Sequence, residues 1–335
     1  MSNTNDISIS TGIEHIVISG GGPSLFSLFG ALKRTAEKGV WDPSKIKSVY
    51  GCSSGSWLGA AIALLKHGLS FDELESYITK RPWETLFATQ TLDMKTAFSK
   101  CGIFDDNSVK ETIVPLLKAC DFSPDVSLRE FCETCDVNFV CLSSDINQRP
   151  IERIVMTKDT FGDLPFYSVI SRSMALPGLI VPFFQDDRCL IDGGLLTNYP
   201  FEVCQTNEQA EVKSILGFKI KWTQGELKAQ PDINFIEYLL HLVKMMALHI
   251  EHTECQTFDE GQTVNCEAPD LGGPSGWIDG LTSKEVRDSF VLSGIASADK
   301  FLETYAQPTI EAAAETEVAV DDLGTVTEGS VDELN

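Results

Sequence analysis

No stretch of the chain approaches the ~18 consecutive apolar residues that would carry a helix across a bilayer. Met1 to Gly12 is polar and lacks the charged start, apolar run and small-residue cleavage site of a secretory leader. Positive charge is scarce: 26 Lys and Arg stand against 49 Asp and Glu, a net charge of −23. Such a field repels nucleic-acid phosphates, which excludes nucleic acid as a partner. It also gives no long-range pull toward anionic membranes, so a lipid surface would have to be met through a local apolar or basic patch. No G-x-x-x-x-G-K-[ST] lysine and no EF-hand loop is present, so neither a phosphate-gripping loop nor a calcium site is expected. Cys132-x-x-Cys135 has no second pair at zinc spacing. His249, His252 and Cys255 are spaced three and three, which rotates the outer two well apart on a helix. No metal and no cofactor is therefore expected. The ten cysteines read as free, buried thiols of a reducing cytosol, which sets the expected location as cytoplasmic, with a peripheral position at membranes.

What is present is an ordinary globular composition, 43% hydrophobic and 22% charged, with enough length for one large domain or two. The chain is organised around Val49-Tyr50-Gly51-Cys52-Ser53-Ser54-Gly55, where an apolar strand over Ile46 to Tyr50 turns into a small-residue helix. This is a G-x-S-x-G nucleophile elbow. A serine on a sharp strand-to-helix turn needs residues without side chains two places before and after it, here Gly51 and Gly55, so that Oγ can project. The helix that follows points its N-terminus, with its free N–H groups, at the same spot. The pentapeptide alone also occurs in inert Gly-Ser turns; the strand before it and the helix after it are what favour a catalytic Ser53.

Upstream, His15 to Ser19 reads as a buried strand that ends in Gly20-Gly21-Gly22-Pro23, followed by a helix with apolar positions Leu25, Leu28, Phe29 and Leu32. Three glycines between strand and helix can turn successive N–H groups toward one point. The nest could hold a phosphate or serve as an oxyanion hole, and the missing lysine favours the second. Strand, helix, strand at this spacing is a right-handed βαβ unit of a mostly parallel sheet, an α/β fold. Sites in such sheets lie beyond the strand C-terminal ends, so the glycines and Ser53 should converge.

Ser19-Gly20-Gly21-Gly22 followed by a helix, with Gly51-Cys52-Ser53-Ser54-Gly55 behind it, resembles the patatin-like phospholipase family, related to the catalytic domains of cytosolic phospholipase A2. Two later segments strengthen the resemblance: Ser173 to Leu179, ending in Pro-Gly, and Asp192-Gly193-Gly194 with Asn198 and Pro200 downstream. The resemblance implies a three-layer α/β/α sandwich over residues 1–310 and hydrolysis of phospholipid or other lipid esters by a Ser–Asp dyad, Ser53 and Asp192. Gly20, Gly21 and Gly22 would form the oxyanion hole, and Gly193 and Gly194 would keep bulk away from the carboxylate. The implied partners are a lipid ester and, transiently, a membrane or lipid-droplet surface. A neutral-lipid lipase or transacylase would use the same site, and a scaffold keeping the fold without turnover is the competing class. His241, His249 and His252 follow Asp192 in the order of a Ser–acid–His triad, but they lie in a helix with no strand-end turn, so the dyad is favoured. One departure stands out: the family's nest continues to a basic residue and a glycine, whereas this chain has Pro23-Ser24-Leu25, without a cation to grip a phosphate.

Elsewhere, Ser70-Phe71-Asp72-Glu73 and Ser127-Leu128-Arg129-Glu130 read as capping boxes, and Ser108 to Ala119 as a helix interrupted at Pro115. Val137 to Leu142, Ile151 to Met156, Cys189 to Ile191 and Lys213 to Lys219 read as strands, and Tyr167 to Met174 as a helix. Asn234 to Glu251 reads as a core helix, apolar around most of its girth. Gly272 to Gly276 reads as a mobile loop, and Thr282 opens a last helix ending near Tyr305. Residues 311–335 hold eight acidic residues and no Lys or Arg, the composition of a disordered tail. Truncation after Pro308 is expected to leave the thermal midpoint unchanged, which calorimetry of the shortened chain checks; a collapse of the midpoint would remove this reading.

Overall fold

The computed structural model describes residues 12–87, 99–222, 231, 233, 235–254, 262–268 and 280–305. Among the described residues eight strands form one sheet: β1 His15–Ile18, β2 Ser48–Cys52, β3 Asn138–Asp145, β4 Glu152–Met156, β5 Phe183–Gln185, β6 Arg188–Asp192, β7 Ile215–Trp222 and β8 Gln262–Ala268. The strands run β5-β6-β3-β2-β1-β7-β8, with β4 paired to β3 off this path. Neighbours from β3 through β8 are parallel, and β4, β5 and β6 add antiparallel pairings. The helices are α1 Leu25–Glu37, α2 Ser54–His67, α3 Phe71–Lys80, α4 Trp83–Phe87, α5 Asp106–Ala119, α6 Leu128–Cys135, α7 Phe166–Ser173, α8 Phe201–Glu208, α9 Phe235–Glu254 and α10 Lys284–Tyr305. This is a mixed α/β fold, a mostly parallel sheet flanked by helices.

Each central strand is buried on both faces, which is why β1 and β2 read as continuous apolar runs instead of alternating ones. Ile16, Ile18 and Val49 face the larger core with side chains of α1, α2, α5, α6, α7 and α10. Val17 and Tyr50 face a smaller core closed by Phe201, Val203 and Cys204 of α8. Nine cysteines among the described residues are free thiols, and seven of them are buried.

The register on β3 positions the site. β2 pairs with Asn138 to Leu142, β4 with Cys141 to Asp145, and β6 with Ser143 to Asp145. A strand has two edges, and β4 overlaps both of the others, so β2 and β6 must share the opposite edge. They run toward each other along it and meet end to end: Cys52 closes β2 opposite Leu142, and Asp192 closes β6 opposite Ser143.

Several elements depart from the sequence reading. β2 starts at Ser48 because Ile46 caps the 3-10 turn Pro43–Lys45, and β7 starts after a similar turn at Val212–Ser214. α5 runs through Pro115 without a break. The Ser70 capping box forms with both of its bonds, whereas at Ser127 the side chain accepts from the Glu130 N–H alone. The expected core helix is α9, and none of its described side chains is buried. Tyr238, Leu242, Met245 and Met246, spaced four, three and one apart, form an exposed stripe on one side of it. Apolar girth requires a covering neighbour to become a core, and among the described elements the main contact of α9 is with Gly193–Leu195. Cys255, the Gly272 to Gly276 loop and the acidic tail lie outside the described residues.

The crossing of α1 and α10 is a backbone-to-backbone contact made possible by two glycines. A Cβ at Gly30 would lie 2.2 Å from the Val291 carbonyl oxygen, and one at Gly294 would lie 1.8 Å from that of Ser27. Gly294→Ala is therefore expected to cost about 1–3 kcal/mol by forcing the helices apart. Gly12→Ala, where a Cβ meets nothing within 4 Å, should stay within about 0.5 kcal/mol of wild type. Urea unfolding of both variants measures the contrast, and equal stabilities would show that the crossing is loose.

Candidate active site

The elbow begins with the backbone. Ser53 sits at φ 52°, ψ −128°, in positive φ space that side chains with a Cβ rarely occupy. Its flanking glycines are required by close approach: a Cβ at Gly51 would lie 2.6 Å from the Gly55 carbonyl oxygen, and one at Gly55 would lie 2.5 Å from that of Ser19. Two hydrogen bonds hold the bend. The Ser53 N–H donates to Ser173 Oγ at 3.0 Å, and Ser56 Oγ donates to the Ser53 carbonyl at 2.6 Å. Although Ser53 occupies the N-cap position of α2, its side chain makes no capping bond. The hydroxyl is thus left to point away from the helix.

It points at Asp192. Ser53 Oγ donates to Asp192 Oδ2 at 2.7 Å, and the Gly194 N–H donates to Oδ1 at 2.7 Å. Cys52 Sγ lies 4.0 Å from Oδ1. Asp192 is 5% exposed, and burial pushes its carboxyl up to about 6, against the opposing pull of the bonds from Ser53 and Gly194. Gly193 is required by packing, since a Cβ there would lie 2.4 Å from the Leu142 carbonyl oxygen. The direct contact leaves no space for an imidazole between hydroxyl and carboxylate. His241 and His249 stay on α9, and the side chain of His252 is outside the described residues.

The three glycines of the nest are not equivalent. The Gly20 N–H donates to the Asn198 carbonyl at 3.1 Å, and the Gly21 N–H to Ser54 Oγ at 3.1 Å. Only Gly22, at φ 53°, has an N–H without a partner among the described residues, and it lines the same cleft as Ser53. α2 starts at the same cleft, where a helix leaves its first N–H groups without intrahelical partners, and the Ser56 N–H already donates to the Ser53 carbonyl at 2.9 Å. Gly20 serves approach instead: a Cβ on it would lie 3.0 Å from Ser53 Cβ and 2.5 Å from Asn198 Oδ1. The residues that sequence reasoning did not assign to the site are therefore Ser54, Ser173 and Asn198, polar partners of backbone groups that no spacing rule announces.

Away from Ser53 the cleft is apolar, walled by Trp57, Ile78, Trp83, Met174 and Leu281 among others. Among the described residues no group of three metal-binding side chains occurs. Burial raises the thiols of Cys132 and Cys135, to about 11 and about 12, so both stay protonated in the core. No helix among the described residues is long and apolar enough to cross a membrane.

No curated protein matches the chain. Solved structures similar to it include VipD from Legionella pneumophila, 13% identical with a TM-score of 0.47 over 88% of this chain and 67% of that one. They also include human GIVD cytosolic phospholipase A2, 10% identical with a TM-score of 0.49 over 89% and 60%. A third is ExoU in the ExoU–SpcU complex of Pseudomonas aeruginosa, 14% identical with a TM-score of 0.44 over 88% and 52%. The chain thus spans between about half and two thirds of the length of the structures it matches. The model of the patatin-like phospholipase family matches residues 16–204, more than half of the sequence and the span that holds the elbow, the glycine nest and the Asp192 motif; the chain belongs to that family.

Proposed function

We propose that the chain is a lipid acyl hydrolase in which Ser53 is the nucleophile and Asp192 the base. The observation that carries this reading is the direct Ser53 Oγ to Asp192 Oδ2 bond, made by a serine that lines an apolar cleft. Asp192 takes the hydroxyl proton as Oγ attacks the ester carbonyl, whose electron pair moves onto oxygen. The N–H of Gly22 and the first amides of α2 face that oxyanion. Collapse expels the alcohol, which leaves with the proton held by Asp192, and an acyl-serine remains. Water then attacks while Asp192 takes its proton, and Ser53 recovers its hydrogen as the fatty acid departs. A carboxyl at its ordinary value near 3.8 is a weak base for an alcohol, and the upward shift to about 6 brings Asp192 closer to the task.

The lipid substrate is what the family indicates, and contact with a membrane or lipid-droplet surface belongs to the proposal. The apolar stripe of α9, a helix lying against Gly193–Leu195, speaks for such contact. We assign residues 1–310 to this hydrolase domain.

A serine-directed fluorophosphonate should label the wild type and not Ser53→Ala, whose ester turnover should fall by about 10⁴-fold or more. A folded wild type that resists labelling would favour the scaffold reading. The dependence on pH follows from the raised carboxyl. Ester kcat/KM should climb through about pH 6 as Asp192 ionises and level off above it; a profile already flat from pH 4 upward would remove Asp192 as the base. Stability runs the other way. A folded value above the unfolded one means that stability is full below about pH 4 and declines as pH rises through about 6. Asp192→Asn should therefore be inactive yet more stable than wild type at pH 8, by about 2–3 kcal/mol, with the gap closing below pH 4. Denaturation at the two pH values reads this difference.

A further inference from the structure

We propose that the cleft selects its ester by the acyl chain and not by the head group, and that Trp83, Ile78 and Leu281 form the wall that limits chain length. The inference rests on the lipid-ester reading above and goes beyond it to what the site recognises.

The first support is chemical. Among the described residues lining the cleft there is no Lys, Arg, His, Asp or Glu. The polar side chains beside Ser53 are already engaged: Ser54 Oγ accepts from the Gly21 N–H, Ser108 Oγ donates to Asp105, and Thr112 Oγ1 donates to the Val109 carbonyl while accepting from Trp57 Nε1. At the position where the family's nest carries a basic residue, Ser24 is buried and does not line the cleft. A phosphate or choline placed in this cleft would find no charged side chain among the described lining residues and, beyond the Ser53 and Ser54 hydroxyls, no side-chain donor that is not already bonded, so most of its desolvation would go uncompensated. A hydrocarbon chain would meet carbon throughout.

The second support is geometric. Trp57 lies one helical turn beyond Ser53 on α2. It stacks on Tyr77 with ring centroids 6.4 Å apart, and Tyr77 meets Trp83 edge-on at 5.6 Å. Trp57 and Trp83 both line the cleft and are linked through Tyr77, which does not, and Trp83 is fixed from three sides. Its Nε1 donates to the Ile78 carbonyl at 2.8 Å, Tyr77 abuts it, and the Arg81 guanidinium lies 4.9 Å from its ring centroid. Leu281 is tied to the segment that carries Ile78 and Trp83 by Arg287, whose guanidinium donates to the carbonyls of Leu281, Thr79 and Arg81. Arg287 is almost fully buried, and neither it nor Arg81 lines the cleft. Both cations brace the wall from behind, so the surface offered to a ligand is a rigid apolar stop.

The test uses the full-length protein and p-nitrophenyl esters from butyrate to palmitate. The wild type should show an optimum at intermediate length. Trp83→Ala should move it to longer chains, raising the kcat/KM ratio of palmitate to butyrate by about tenfold or more. Leu281→Ala, at a half-buried position, should move it the same way, and it decides the matter if circular dichroism shows that Trp83→Ala does not fold. An unmoved optimum in a folded variant overturns the wall. In a second arm, a monoacylglycerol and a lysophosphatidylcholine of the same acyl chain should differ in kcat/KM by no more than about threefold, and a tenfold preference for the phosphate-bearing ester overturns head-group indifference. Absence of turnover on every ester by folded wild type removes the hydrolase reading itself, an outcome distinct from either of these.

Discussion

An aspartate can draw a proton from an alcohol only when the two are held at bonding distance and water is kept from the carboxylate. In this chain both conditions come from one feature of the sheet, the meeting of β2 and β6 end to end on a single edge of β3. Opposed strands on one edge bring two chain segments about 140 residues apart to adjacent rungs, and the side chains just past each end have no strand between them. The elbow after Cys52 and the Gly193–Leu195 turn after Asp192 are the two exits from that collision. Their glycines are there because the exits pass through space already held by other backbone: Gly55 lies against Ser19, and Gly193 against Leu142.

The same constraint explains why the site is strained and buried at once. A serine at positive φ costs about 1–3 kcal/mol unless its surroundings over-determine it. Here the Ser173 hydroxyl and the Ser56 hydroxyl hold its N–H and C=O, and the fully buried β1–β2–β3 ladder anchors the strand before it. Asp192 in turn has two satisfied carboxylate oxygens, yet it remains a charge inside the core. The structure accepts an unfavourable conformation and an unfavourable charge at adjacent points, at the edge of its larger hydrophobic core.

The parts of this arrangement that the sequence made legible were those imposed by sterics and local chemistry. Glycines two places either side of Ser53 and Gly193 after Asp192 mark places where backbone must pass backbone, and Gly20, Gly21 and Gly194 leave room for the side chains of Asn198, Ile220 and Asn198 again. Such requirements leave a residue-type signature. The partners of the backbone groups left less: Ser173 and Asn198 stand in the motif segments, yet nothing there says which backbone groups they meet. Ser173, Ser54 and Asn198 are common polar residues whose roles depend on where distant turns come to rest, and the split of the glycine nest into two committed amides and one open one follows from those partners. β5 and α8 were missed for a related reason, being short elements whose identity is decided by the neighbours they pair with or cover. α9 went wrong in the opposite direction: its apolar periodicity is real, but periodicity records only that a face is apolar, not that another part of the chain covers it.

One physical property then joins recognition to chemistry. The dry, uncharged lining that suits a hydrocarbon chain is continuous, through Ser53, with the low-polarity surroundings that raise the Asp192 carboxyl. In the proposed reaction an acyl chain entering the cleft would displace the remaining water next to the pair, which would strengthen both the hydrogen bond between them and the pull of the Gly22 and α2 amides on a developing oxyanion. A polar contact added to hold a head group would work against this, since a cation or a hydrated side chain near Ser53 would stabilise the carboxylate or bring solvent back, and lower the basicity of Asp192. In a chain of net charge −23, keeping formal charge out of the cleft is therefore a condition of the chemistry as much as of the fit.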